Sequence, residues 1–468
     1  MKPSTPNLDR WRYIIVLAKF MVHFLHPGLV KSLSVLVPSL VIQLDMEYST
    51  AFIFVTLETV IYHLACPISH LLGKRFGCRL VSIIGGFLAT ISLLAGTFSR
   101  GASFLGCSFF FTGLFASPLR QTSCETLHQH FREHYGMATT ITQLGSQLGS
   151  FLLPYLTVLC LDAYGPRGSL LFLSAMIFHC VPIGATMRPP RCQKDRIEIN
   201  DSKQTDHVER ELEPLRTGDA VKCCKFSGKE ESASGLMDSK SDLHTENEEK
   251  RNVQHSNVNV VRKTLHDTVD FVKAERVFTF ILLPCQALFD ISYCGWVVFL
   301  FSYGISEDLS NDEAVFLVMM GSIGGITGRC FVIAILYRFP LASPQLLALN
   351  YLVASTSILA YPINSSPTYL SICSLFAGFG FYSASSTLYG AISVNVDKEN
   401  FPKAIASSLL VSGISYLISG LITGFLYDVF GSYRVTFRIL GILLAAISLP
   451  ILIYICKSSE RKKTTKDG

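Results

Sequence analysis

Residues Tyr13–Val37 read YIIVLAKFMVHFLHPGLVKSLSVLV. About 20 consecutive apolar residues suffice to cross the ~30 Å hydrocarbon core of a bilayer, and this run exceeds that length. Within it, in Gly28-Leu29-Val30-Lys31-Ser32-Leu33, stands a lysine. A cation at such depth costs ~2.5–3.5 kcal/mol on insertion scales and normally faces a bundle interior or a water-filled cavity. Lys31 is therefore a functional candidate before the rest of the chain is read.

The same pattern recurs along the chain. Apolar stretches lie at 13–37, 50–72, 79–98, 102–124, 136–160 and 168–187, and again at 277–302, 313–337, 340–361, 367–394, 402–427 and 434–456. Twelve spans are expected. The fourth, which holds Arg120, and the ninth, between Pro340 and Pro362, are the least apolar or the most tightly bounded. Hydrophobic residues make up 49% of the 468 and charged residues 16%. The charge is concentrated: 16 Lys/Arg and 18 Asp/Glu fall between Arg188 and Glu275, leaving 24 and 17 for the remainder. A polytopic membrane protein requires such charge-poor stretches, and a soluble chain rarely tolerates them.

The expected organisation is a six-helix half at 1–187, a largely disordered cytoplasmic linker at 188–276, a second six-helix half at 277–456 and a basic tail at 457–468. The linker is too polar to bury surface that would offset its ordering entropy. Residues 258–275 show helical periodicity that would suit a short amphipathic helix on the membrane surface. With the N-terminus inside, the inner loops and tails carry about 15 basic residues against about three outside (Arg100, Arg167 and Arg434), which places both termini and the linker in the cytoplasm. The sequon Asn364-Ser365-Ser366 would then face outward in a loop too short for ready glycosylation. The polar N-terminus has no cleavage-site pattern, so no signal peptide is expected.

Several function classes find no support. Most of the 14 cysteines sit singly in apolar runs and read as small hydrophobes, not as a disulfide framework. Cys223-Cys224, in the linker, reads as an exposed pair, with palmitoylation as the alternative. Neither a phosphate-cradling glycine loop nor a Cys/His metal pattern occurs, so no enzyme activity, cofactor, metal or nucleotide-driven pumping is expected. No basic block suits a nucleic acid.

An internal repeat supports two halves. After the fifth span comes Asp162-Ala163-Tyr164-Gly165-Pro166-Arg167, and after the eleventh Asp428-Val429-Phe430-Gly431-Ser432-Tyr433-Arg434. Both read Asp-x-aromatic-Gly with an arginine close behind. Parallel six-helix halves about an axis along the membrane normal are the architecture of the major facilitator fold, with substrate held between the halves near mid-depth. The expected fold class is thus an all-α membrane protein with the major facilitator fold.

Trp11-Arg12-Tyr13, leading into Lys31-Ser32, resembles the first helix of the monocarboxylate transporter family, in which an acidic-Gly-Gly-Trp-Gly-Trp opening precedes a helix with Pro-Lys-Ser. Here Asn7-Leu8-Asp9-Arg10 stands in place of the acidic-Gly-Gly part, and Tyr13 replaces the second tryptophan. Collinear likenesses follow at Pro67-Ile68-Ser69, Gly73-Lys74-Arg75-Phe76-Gly77-Cys78-Arg79, His130-Phe131-Arg132 through Gly145-Ser146, Ser302-Tyr303-Gly304 and Arg329. Glu133-His134-Tyr135 replaces most of the basic cluster that opens the family's fifth helix. The resemblance covers nearly all of the chain except the linker. It implies carriage of a small organic anion across the plasma membrane, by symport or uniport, with Lys31 and Arg329 binding the substrate. It also allows a single-span immunoglobulin-like ancillary protein.

The chemistry agrees with those roles. An ammonium in a desolvated cavity can pair with a carboxylate, and a guanidinium offers the planar fork that a carboxylate fits. Lys31 lies about six residues from the outer end of its predicted span, roughly 9 Å at the helical rise, so snorkelling to the headgroups is the alternative. Arg329 lies about eight residues from the inner end of its span, and a structural ion pair is its alternative. In proton-coupled members of the family an aspartate stands four residues before the arginine. Gly325 stands there in this chain, which leaves proton coupling open. Asp290 could neutralise Arg329 or carry a proton, Glu58 could pair with Lys31, and His63 could titrate near neutral pH. Phe379 and Tyr382 are candidate substrate-contacting aromatics. Two other readings stand beside anion transport: a carrier for a neutral or zwitterionic solute such as an aromatic amino acid or a hormone-like molecule, and a transport-dead membrane sensor or scaffold.

Overall fold

The computed structural model describes residues 6–188 and 270–464. Among these every regular element is helical. The first half comprises α1 (Pro6–Leu44), α2 (Tyr48–Leu64), α3 (Cys66–Phe76), α4 (Cys78–Thr97), α5 (Ala102–Phe131), α6 (Tyr135–Phe178) and α7 (Cys180–Thr186). A π-helical turn, Phe278–Leu282, leads into α8 (Leu283–Ser306); α9 (Asn311–Arg338), α10 (Ser343–Ala360), α11 (Pro367–Asn395), α12 (Phe401–Phe430) and α13 (Tyr433–Thr464) complete the second half. Most of the expected linker, Cys223-Cys224 and nearly all of 258–275 lie outside the described residues.

Twelve crossings result. By length and composition eight helical stretches qualify as spans, and the pair of α2 and α3, bent by 45°, makes a ninth. One of the eight, Ala102–Thr186, is 85 residues long. It is broken at Arg132–His134 and at Gly165 and therefore carries three crossings. The last is α11, whose serines hold its hydropathy down.

The sequence repeat has a backbone cause. Gly165 (φ 71°) and Gly431 (φ 60°) both take the left-handed conformation that glycine adopts without penalty. Each turns the chain from the fifth crossing of its half into the sixth. DxΩG, with Ω an aromatic, is thus the signature of one turn used twice.

Two boundaries differ from expectation. Pro38 does not end the first span: α1 runs on to Leu44 with Pro27 and Pro38 inside it. Membrane helices tolerate proline because neighbouring helices re-satisfy the freed backbone groups. Lys31 is consequently thirteen residues from the helix end, about 20 Å along the axis, beyond the reach of a snorkelling lysine. The second span, in turn, is broken at Ala65, where Pro67 opens α3.

Within each half the helices approach closely through small residues, as bundles in lipid do. A Cβ on Gly149 of α6 would lie 1.9 Å from the Phe24 carbonyl oxygen of α1, and one on Gly378 of α11 the same distance from that of Gly321 on α9. At the face opposite the chain ends, the second half is clamped by Arg434. Its Nε donates to Glu307 Oε1 at 2.6 Å, and its Nη2 donates to Glu307 Oε2 and, at 2.7 Å, to Ser365 Oγ. Asn364 of the sequon sits beside this clamp with its Oδ1 accepting the Ser366 N–H. The Arg434 guanidinium holds the Glu307 carboxyl below its ordinary value of 4.5. The clamp's contribution is therefore complete above pH 4.5 and is lost as the pH falls through the lower, folded-state value. Arg434→Ala should lower Tm at neutral pH, and the gap from the parent should close on acidification. A gap that is independent of pH would assign the effect to packing instead.

Candidate functional site

Arg329, near the inner third of α9, is 3% exposed. Its fork spans the two halves. Nη1 donates to the Gln143 carbonyl at 2.5 Å and to Gln147 Oε1, and Nη2 donates to Gln143 Oε1 at 3.2 Å, all on α6. Nε donates to the Tyr382 carbonyl and Ser386 Oγ, each at 3.2 Å, and Nη2 reaches Ser385 Oγ at 3.5 Å, all on α11. The guanidinium also lies 5.5 Å from the centre of the Tyr382 ring. Every one of these partners is neutral.

Lys31 makes no ion pair among the described residues. Its side chain is exposed, and it lies within electrostatic reach of Cys294 on α8, in the other half. Adjacent to Cys294 on α8 is Tyr293, which lies within electrostatic reach of Arg329 and 5.6 Å ring to ring from Tyr382. One α8 dipeptide thus connects the two cations expected to hold substrate.

Other expected partners are placed differently. Glu58 is fully buried and meets His26, with Nε2 to Oε1 at 3.2 Å, rather than Lys31. Five residues on a helix correspond to about 140° around its axis, so α1 cannot present His26 and Lys31 to the same neighbour. Asp290 does not neutralise Arg329. It accepts from Ser412 Oγ at 2.6 Å and from Gln286 Nε2 at 3.5 Å, and Gln286 in turn bonds Ser408 and Ser412. These contacts tie α8 to α12. His63 is held by the Thr59 carbonyl at 2.8 Å and sets its ring edge-on to Tyr416 of the other half, 5.3 Å between centres. Phe379 packs 5.6 Å from Phe331, which is 40% exposed, and is not brought to Arg329. Tyr382 is brought there, and its ring occupies the space beside Gly325: a Cβ on that glycine would lie 2.3 Å from Tyr382 Cδ2.

Sequence reasoning missed the glutamines. Gln143 and Gln147, four apart on α6, present two amides to one guanidinium, and a polar i, i+4 pair inside an apolar span was the available signal. It also missed a second link between the halves. Arg120 Nη1 donates to His23 Nε2 at 2.5 Å, and Nη2 donates to the Tyr389 hydroxyl at 3.1 Å. His23 therefore uses Nδ1–H toward the Lys19 carbonyl, 3.0 Å away. Nearby, Gln121 donates to the Pro402 carbonyl at 3.1 Å, and His128 stacks on Phe401 at 3.6 Å.

Among the described residues, these side-chain hydrogen bonds and ring contacts between the halves lie at mid-depth or toward the face that carries the chain ends. The opposite face is not bridged by any of them. The halves are thus bridged on the chain-end side and at mid-depth by Arg120, Gln121, His128 and Arg329. Two six-helix halves bridged around a buried arginine suit one superfamily, whose family model, Major Facilitator Superfamily, matches residues 20–400. The chain belongs to the Major Facilitator Superfamily. It is similar to monocarboxylate transporter 1 of Bos taurus, 25% identical over 396 residues that cover 83% of this chain and 73% of that protein. It is likewise similar to monocarboxylate transporter 12 of Mus musculus, 22% identical over 475 residues, 99% and 89% of the two chains. At these identities the likeness is that of a distant relative of the monocarboxylate transporters. Solved structures share the fold at low identity. The proton:xylose symporter XylE aligns with TM-score 0.64, 14% identity and 96% of each chain covered. The human organic anion transporter MFSD10 aligns with TM-score 0.61, 12% identity and 96% and 100% covered. The chain is a multi-pass membrane transporter and not an enzyme.

Proposed function

We propose that the chain carries a small, monocarboxylate-like organic anion across the plasma membrane by alternating access, with both termini cytoplasmic and the unbridged face outside. The observation that carries this reading is the fully neutral company of Arg329. A buried guanidinium held by amide, carbonyl and hydroxyl oxygens gains when a carboxylate replaces them, because charge-assisted bidentate bonds are roughly twice as strong as neutral ones. The same exchange would release Gln143 and Gln147 and loosen one link between the halves, so anion binding and conformational change draw on one set of contacts. Lys31, whose side chain is exposed, meets the anion first. The basic inner loops support the orientation. A single-span immunoglobulin-like partner rests on family resemblance alone. The aromatic group of Tyr293, Trp296 and Tyr382 favours, as a second reading, a neutral or zwitterionic aromatic solute.

Uptake of labelled lactate and of labelled tryptophan, with surface expression measured, separates the readings. Lys31→Ala should weaken saturable lactate uptake ~10-fold or more, chiefly through KM, as expected for the loss of one charge-assisted contact. Saturable tryptophan uptake that ignores this substitution, with no lactate uptake, would replace the anion reading by the aromatic one. Failure of a broad solute panel would leave a sensor or scaffold.

A further inference from the structure

Glu58 on α2 is fully buried, and its Oε1 lacks a hydrogen-bonded partner. The nearest opposite charge available to it is the imidazole of His26 on α1, whose Nε2 is equally buried and stands 3.2 Å away. Their separation is that of a hydrogen bond, but the alignment is not, and both atoms stand without a hydrogen-bonded partner. Thr59 Oγ1 donates to the second carboxylate oxygen at 3.3 Å. His26 lies flat on Tyr62, 3.5 Å between centres and 11° between planes. The His26 side chain remains 11% exposed, which gives a proton a way in, whereas Glu58 has none.

The neighbouring charges are few. On α1, His23 is committed to Arg120 and Lys31 faces Cys294. On α2, Tyr62 and His63 are the titratable groups in ring contact with His26. From α5, Arg120 reaches this cluster electrostatically, and Cys66 of α3 and Cys180 of α7 reach Tyr62. Among the described residues, the group from the second half in ring contact with the cluster is Tyr416 of α12, on His63. His63 is also edge-on to both Tyr62 and His26. The proton site is therefore in mechanical contact with the seam between the halves.

We infer that Glu58 and His26 form an exchangeable proton-binding site in the first half, which supplies the proton coupling that Gly325 cannot. One proton from water is taken up between His26 Nε2 and Glu58 Oε1, and the pair passes from one net negative charge to none. On release the proton returns to water and the carboxylate faces a neutral imidazole. Loading changes the charge beside the edge-on Tyr62–His63–Tyr416 rings, where α2 meets α12. The coupling role rests on the anion-transport reading above; the proton site itself does not.

Two measurements keep those apart. In pH-difference infrared spectra of the purified chain, carboxyl and imidazole bands report protonation without substrate. Glu58→Gln and His26→Gln should each remove both bands, because one proton is shared, and Glu58→Asp should restore them. In proteoliposomes an imposed proton gradient should raise lactate accumulation several-fold in the parent and in Glu58→Asp, and not in Glu58→Gln. Difference bands in Glu58→Gln identical to the parent's overturn the proton site. Bands lost as expected with an unchanged gradient response in Glu58→Gln overturn its coupling role. Bands lost as expected in a parent that moves no carboxylate uphold the site and remove the anion reading instead.

Discussion

Arg329→Ala is expected to reduce carboxylate uptake by at least ~100-fold, with the protein still folded and inserted. The guanidinium makes six hydrogen bonds, three to α6 and three to α11. Bonds to a charged group are worth ~1.5–3 kcal/mol each when measured by deletion. A hundredfold loss corresponds to ~2.8 kcal/mol, so the loss of the substrate's bidentate contact alone accounts for it. Folding survives because Ser386 Oγ still donates to Gln143 Oε1 at 3.0 Å, and Ser385 Oγ lies 3.4 Å from the same atom. These bonds keep α6 on α11 without the arginine. Arg329→Lys should recover little, since an ammonium is a point charge and cannot bridge two glutamines on one side and two serines on the other.

A second readout distinguishes lost binding from a lost link. The bonds from Arg329 to α6 exist in the state left unbridged at the face away from the chain ends, so their removal should shift the population toward the alternate state. Spin labels at Arg100 and Asp308, in loops of the two halves on that face, should report shorter distances in Arg329→Ala than in the parent. Unchanged distances together with lost uptake would confine Arg329 to substrate binding. Uptake within a few-fold of the parent would remove it from the site altogether.

How far the sequence disclosed this arrangement depends on the kind of signal. The twelve crossings were legible because lipid demands apolar length, and the two-half plan because one left-handed glycine turn recurs at Gly165 and Gly431. Lys31 and Arg329 were legible because charges are expensive at that depth. Pairings were not. Glu58 pointed to Lys31 by depth alone, but depth says nothing about azimuth, and α1 turns His26 toward α2 instead. Gln143 and Gln147 carry no charge and drew no attention in a span where any polar residue can be satisfied by a neighbouring helix. Asp290 pointed to Arg329 on charge alone, and a local set of Gln286, Ser408 and Ser412 satisfies it within its own half. Charge locates what must be buried against something; it does not say against what.

Placing at Gly325 the aspartate that the family resemblance implies four residues before Arg329 tests what fills that space. Gly325→Asp alone should fail: its Cβ would enter the Tyr382 ring at 2.3 Å from Cδ2 and 2.8 Å from Cγ. That ring has nowhere simple to go. It is set against Arg329 on one side and edge-on to Tyr293 and Trp296 on others, at 5.6 and 6.3 Å between centres. Overpacking of this kind costs ~1–3 kcal/mol, and displacing the ring also strips Arg329 of its aromatic face. Tyr382→Ala alone should be damaging too, by opening a void beside a buried cation. Combined, the two changes relieve each other. The new carboxylate, one helical turn from Arg329, occupies the space vacated by the ring and pairs with the guanidinium. The double variant should therefore melt higher than Gly325→Asp, with a coupling energy of ~1–3 kcal/mol between the two sites. Additive effects would show that the ring is free to move and that Gly325 is small for some other reason. The Tyr382 ring fills the space beside Gly325 and gives Arg329 an aromatic neighbour, and on the proposed reading the positive charge is left for the substrate.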